Sequence, residues 1–297
     1  MIWSKKFARI RCRDIFSRAS SIFLGAGEAM TNSWGKQFAP PPARRSAWRG
    51  HFATFAVFLS ATQVALAADP DPEHLLRLAF DNYRANTSRV IVSMTIHRPD
   101  WERGLQMKAW TRGDSDALVR FLAPPKDAGN ATLRAGNDTW VYNPKLNQVI
   151  KLPASMMSQS WMGSDFSYND LSKSEEILTQ FTHRVAATAN EAGHTAWTID
   201  CIPKPGAPIV WGKVTVILRD DYVITKETFF DQDMKPARIM TTDRIGPLAG
   251  RMYPLAMTMH PSDAPGSWTR IDTSSAEFDL GVPGYIFTLS NLQNPRN

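Results

Sequence analysis

ALVRFLAPPKDAGNATLRAGNDTWVYNPKLNQVIKLPASMMSQSWMGSDFSYNDL, residues 117–171, begins as alternating strand and then stops alternating. Three short β-rich runs come first, at 117–122, 139–142 and 148–152. Turn residues separate them: Pro124-Pro125 and Gly129-Asn130 after the first, Gly136-Asn137-Asp138 before the second, Asn143-Pro144 after it. Each of these pairs supplies a bend or a left-handed backbone that a strand interior avoids. Met156-Met157, Trp161-Met162 and Phe166 follow without a period of two. Strands followed by a non-periodic apolar run imply a sheet with a greasy segment lying across it.

Working outward, residues 90–97 and 105–111 precede this region as strands. Residues 195–202, 213–218, 223–230, 236–244, 254–260 and 268–275 follow it. Turn signals such as Gly113-Asp114, Asp220-Asp221 and Pro265-Gly266 lie between them. Strands in succession, without helix-length gaps, predict an antiparallel meander. A sheet this large curls to protect its edges. Strict βαβ alternation is absent, so a doubly wound parallel sheet is excluded. Before the strands, Leu75, Leu76, Ala79, Phe80 and Tyr83 recur at helical spacing. Asp69 or Asp71 can cap that helix and Pro72 suits its first turn. Between residues 151 and 195 the alternation fails. Met156 to Phe166 reads as a lid or short helix, and Asn169 or Asp170 as a cap leading into Leu171. A further helix is expected to start at Ser174-Glu175-Glu176 and run through Ile177, Leu178 and Phe181. A long apolar insertion in a β protein points to function rather than disorder.

The blocks LVRFLAPPKDAGNATL, GNDTWVYNPKLNQVIKLP and SWMGSDFSYNDL, in this order and spacing, resemble the LolA-like family of bacterial outer-membrane lipoprotein-sorting proteins. The resemblance extends from about Ser88 to Asn294. It implies a mainly β (α+β) fold: a curved antiparallel sheet forming an incomplete barrel, with helices closing an apolar cavity. It implies a soluble carrier or chaperone of lipids or lipoproteins between inner and outer membranes, and not an enzyme. The expected partners are acyl chains, an inner-membrane transporter and an outer-membrane acceptor. A regulatory or transporter-adaptor module of the same fold is the alternative. The residues expected to line the cavity or its lid are Met94, Trp110, Phe121, Trp140, Tyr142, Trp197 and Met257, with Met156, Met157, Trp161, Met162 and Phe166 as the lid. Methionine, unbranched and polarizable, suits space that changes shape. Arg120 alternates with Val119 and Phe121. A solvent-facing strand cation is the simpler reading of it, while the resemblance implies a buried arginine that holds a lid through hydrogen bonds.

The formal charge of +6 is unevenly placed. Residues 1–67 hold ten Lys or Arg against two acids, which leaves the remainder slightly acidic. That excludes a phosphate-backbone partner for the mature chain. Arg44, Arg45 and Arg49 precede an uncharged apolar run over residues 51–66, and Ala65-Leu66-Ala67 offers small residues at cleavage positions. This is the pattern of a signal peptide. The run is too short for a membrane span of about 20 residues. Residues 1–67 are therefore expected to be an extension plus signal peptide cleaved near Ala67, and residues 68–297 a single periplasmic domain. Met30 is a candidate alternative start. Only Cys201 lies in the mature part, where a buried apolar role is expected.

No metal, cofactor or catalytic site is expected. The chain lacks H-E-x-x-H, C-x-x-C, G-x-S-x-G and P-loop patterns. The histidines are scattered, without ligand spacing. Asp220, Asp221, Asp231 and Asp233 occupy turn positions, where aspartate bonds its own backbone. Glu175-Glu176 are adjacent and do not form two carboxyls facing across a substrate.

Overall fold

The computed structural model describes residues 70–172 and 175–296. The expected signal peptide with its cleavage near Ala67, the expected Asp69 cap and the expected Ser174 helix start lie outside the described residues. The first helix, α1 (Pro72–Arg84), starts as its sequence dictates. The Asp71 carboxylate accepts from the Glu73 N–H at 3.0 Å, Pro72 fills the first turn, and Glu73 faces the positive end of the helix dipole.

Thirteen strands then form one antiparallel sheet. The first six are β1 (Thr87–Arg98), β2 (Trp101–Arg112), β3 (Asp116–Ala123), β4 (Ala131–Ala135), β5 (Asp138–Asn143) and β6 (Gln148–Lys151). After the central segment come β7 (Phe181–Glu191), β8 (His194–Pro203), β9 (Lys213–Arg219) and β10 (Ile224–Phe230). The last three are β11 (Pro236–Leu248), β12 (Arg251–Pro261) and β13 (Trp268–Phe278). Two meanders, β1–β6 and β7–β13, are joined where β1 pairs with β13. The sheet is curved and does not close, so β6 and β7 are its two outer strands. The chain must therefore travel from one edge of the sheet to the other between Lys151 and Phe181. This topology makes the non-alternating segment a cross-strap. It contains a 3₁₀ turn (Ala154–Met156) and two short helices, α2 (Tyr168–Ser172) and α3 (Glu176–Thr179).

Two strands are additions to those read from the sequence. β4 lies between two glycine turns, and its first four residues are buried. With both faces covered it carries no alternation to detect. β7 is an outer strand rich in Ala, Thr and Asn whose last six residues are exposed. Phe181, expected to end a helix, instead begins β7, and α3 is only four residues long.

The two faces of the sheet are covered differently. On the concave face, α1 buries Leu75, Leu76 and Ala79 against Phe181, Ile199, Val214, Val216 and Leu218 of β7–β9. The alternation in β9 shows why this face is fixed: Val214, Val216 and Leu218 are buried and their neighbours are not. Each such side chain contributes about 1.5–3 kcal/mol when fully buried, and a one-residue slip would expose all three. On the opposite face, a 3₁₀ turn (Gly284–Phe287) and α4 (Leu289–Gln293) cover β3–β5. Ile286, Phe287 and Leu292 pack on Leu118, Ala131, Leu133 and Tyr142 there.

Arg120 belongs to this second layer, and the solvent-facing reading of it is corrected. It is buried, and its Nη2 donates to the carbonyls of Asn291 at 2.9 Å and Leu292 at 3.1 Å. Those carbonyls lie in the last turn of α4, where no intrahelical donor remains. Burial holds the guanidinium pKa below its usual value. Alternation along β3 puts Arg120 on the face away from Val119, so it anchors the outer helix rather than the concave side.

Candidate functional site

Between the concave face, α1 and the cross-strap lies a cavity of about 330 Å³. Its floor comes from strand residues pointing inward. Val90, Ala109 and Val119 pair side by side across β1, β2 and β3. Met240, Met259 and Met257 continue the floor across β11 and β12, and Ile271 of β13 pairs with Met257. Its walls are Phe80 and Tyr83 of α1, Phe166 and Leu171 of the cross-strap, and Pro208 to Trp211 of the β8–β9 connection. A second cavity of about 210 Å³ lies beside β3–β6, bordered by Phe121, Tyr142, Met162 and Tyr168.

The residues named from the sequence divide among these places. Trp110, Phe166 and Met257 border the large cavity; Phe121, Tyr142 and Met162 border the small one. Trp110 also packs with Trp140 and Tyr142 on the cluster beneath the C-terminal turn and helix. Met94, Phe121 and Trp161 form a closed core with Ile96, Leu105 and Met107, against which Met162 packs. Trp197 packs against the cluster beneath α1. Met156 is half-buried and Met157 buried in the cross-strap, and neither borders a cavity.

The cross-strap is pinned at several points. The Trp161 ring is 1% exposed, lies 5.3 Å from the Phe121 ring and donates its indole N–H to Thr132 Oγ1 at 3.1 Å. Met162 and Gly163 both have positive φ, 55° and 82°, and the Ser164 N–H closes the turn on the Trp161 carbonyl at 2.9 Å. Arg98 donates to both oxygens of Asp165, at 3.0 and 3.1 Å. Arg238 holds both oxygens of Asp170, at 2.6 and 2.7 Å, and lies over the rings of Trp211 and Phe229. Glu175 is buried between Arg84, at 3.3 Å, and Arg134. None of these arginine pairs follows from spacing in the sequence, because each joins residues distant in the chain.

Glu227 is the polar group on the cavity floor that sequence reasoning passed over. It stands on β10 between Val216 of β9 and Met240 of β11. It is half-buried, and it borders the cavity. Burial pushes its carboxyl up from 4.5 to about 7; nearby Asp170 pushes the same way, and Arg238 opposes. The inward parity it shares with Phe229 was the signal that could have found it. Tyr83 and Tyr253 stack at 5.4 Å on the α1 side of the cavity, and burial raises both phenols. Burial likewise raises the Cys201 thiol, so it is held as an uncharged apolar group.

His194, Asp220 and Asp221 bring one ligand atom each within 4.8 Å of one another. They are already paired: His194 Nδ1 lies 2.6 Å from Asp220, and Arg219 takes both oxygens of Asp221 at 3.1 and 2.6 Å. This arrangement is a satisfied turn at the end of the β8–β9 pair.

Comparison with known proteins places the architecture. A family model described as "Uncharacterized protein" matches residues 113–294. No curated protein matches the sequence. A DUF1329 family protein from Desulfovibrio piger superposes with a TM-score of 0.68 at 20% identity, covering 75% of this chain and 99% of that one. A protein described as an outer membrane lipoprotein-sorting protein domain, from Vibrio parahaemolyticus, gives 0.66 at 21%, covering 75% and 98%. A LolA superfamily protein from Nitrosomonas europaea gives 0.62 at 18%, covering 73% and 97%. The chain belongs to the family of uncharacterized proteins whose model spans residues 113–294, and it is built on the LolA-like fold.

Proposed function

We propose that this protein is a periplasmic carrier or chaperone of lipids or lipoproteins, which takes acyl chains into the cavity on the concave face of its sheet. The observation that carries this reading is the cavity itself. Its volume of about 330 Å³ lies within the range of small-molecule sites, about 300–1,000 Å³. Its floor is aliphatic and methionine-rich, which suits a flexible chain more than a rigid polar substrate. The similarity to a lipoprotein-sorting domain supports the same direction. Among the described residues, no helix is long and apolar enough to cross a membrane. Donors in the inner membrane and acceptors in the outer membrane are the partners this function needs. On this reading the protein binds its ligand without turnover.

Native mass spectrometry of the protein purified from the periplasm tests the proposal. The expected result is a co-purifying mass of an acylated molecule, released on organic extraction. A ligand-free protein that also fails to take up added phospholipid or acylated peptide would refute it.

A further inference from the structure

The cavity is not uniformly apolar. Arg84 and Asp170 on its border each stand in an ion pair, with Glu175 and Arg238 respectively, although the Nε of each arginine is buried without an acceptor. Glu227 is different. Among the described residues it accepts no hydrogen bond, and Arg238, the cation acting on it, already gives two donors to Asp170. A carboxylate on an apolar floor with no donor of its own is explained if the occupant brings one.

We propose that the cavity holds an amphiphile whose head group is a primary ammonium, with an N–H directed at Glu227 and its chain along the methionine-lined floor. The inference rests on the carrier reading and narrows it. An ammonium supplies donors and one positive charge, matching a carboxylate that has neither. A phosphate or carboxylate head would meet Glu227 as a like charge. A quaternary ammonium has the charge but no N–H.

Four ten-carbon probes separate these features: decylamine, decyltrimethylammonium, decanol and decanoate. Each is titrated calorimetrically below its micellar concentration, into the wild-type protein and into Glu227→Gln. At pH 8 decylamine is expected to bind wild-type protein at least tenfold more tightly than the other three. In E227Q that preference should fall to about twofold or less. A second reading needs no variant. The groups around Glu227 are Asp170 from α2, Arg238 from β11, Tyr83 from α1 and Cys201 from β8. Burial raises the Glu227 carboxyl to about 7, and it raises Tyr83 and Cys201 further into their neutral forms. The preference of the wild-type protein for decylamine should therefore shrink between pH 8 and pH 6. Equal binding of decylamine and decanol at pH 8, or a preference that survives in E227Q, overturns the head-group assignment and leaves the carrier reading standing. Failure of all four probes to bind overturns both.

Discussion

Glu227 and Trp161 show how differently single residues are legible in the sequence. Trp161 announced itself as part of a large apolar run, yet its environment did not. It is a plug locked by Thr132 and Phe121 in a core separate from the large cavity. Glu227 was silent, one acid in a strand of seven, and its meaning came from the two strands beside it. Its carboxyl also sets a pH dependence. The fold raises the pKa from 4.5 to about 7, so the neutral form is the one the folded state favours. The stability it contributes is full below the unfolded value and is lost as pH rises through the folded one. The stability of the wild-type protein, read by thermal unfolding, should fall between pH 5 and pH 8 by about 1–3 kcal/mol from this group. E227Q, which cannot ionise, should lack that component. Parallel pH profiles for the two proteins would contradict the assignment.

At the scale of elements, the cross-strap between β6 and β7 is the feature that most needed the structure. The sequence marked it as apolar and non-alternating, and its topology explains why it must exist. Its anchoring was illegible, because Arg98–Asp165, Arg238–Asp170 and Arg134–Glu175 join partners far apart in the chain. Strands β4 and β7 were missed for a related reason: one is covered on both faces and the other is exposed along its outer half, so neither alternates. The pins divide the strap. Trp161 lies in the closed core of β1–β3, whereas Phe166 and Leu171 face the large cavity. We propose that any lid action belongs to this second part, which Arg238 holds down. Replacing Arg238 with Leu leaves Asp170 without its cation beside Glu227, with the Ser167 N–H and hydroxyl still donating to it. Breaking such a pair is expected to cost about 2–4 kcal/mol, at or just below the buried-pair range because Asp170 retains some exposure. Urea unfolding measures that loss, and hydrogen exchange should quicken over residues 165–171 while Trp161 stays protected. A change under about 0.5 kcal/mol, the size of an exposed pair, would show that Arg238 does not hold the strap.

For the whole molecule, the curved unclosed sheet, its antiparallel order and the helix over its mouth were readable from period-two runs, turn residues and block order. The pairing of β1 with β13 was not, since nothing local in either strand names a partner so distant in sequence. That pairing makes β6 and β7 the edges, sends the strap across the concave face and so creates the cavity. The carrier proposal requires that an acyl chain occupies this space. A long-chain alcohol carrying a photoactivatable diazirine near its tail, free of a charged head, is the probe, with the labelled peptides identified by mass spectrometry. Saturable labelling concentrated on Val90, Val119, Met240 and Met257, and competed away by unlabelled lipid, is the predicted result. Labelling that does not saturate, or that falls on the face covered by α4 instead, would contradict it.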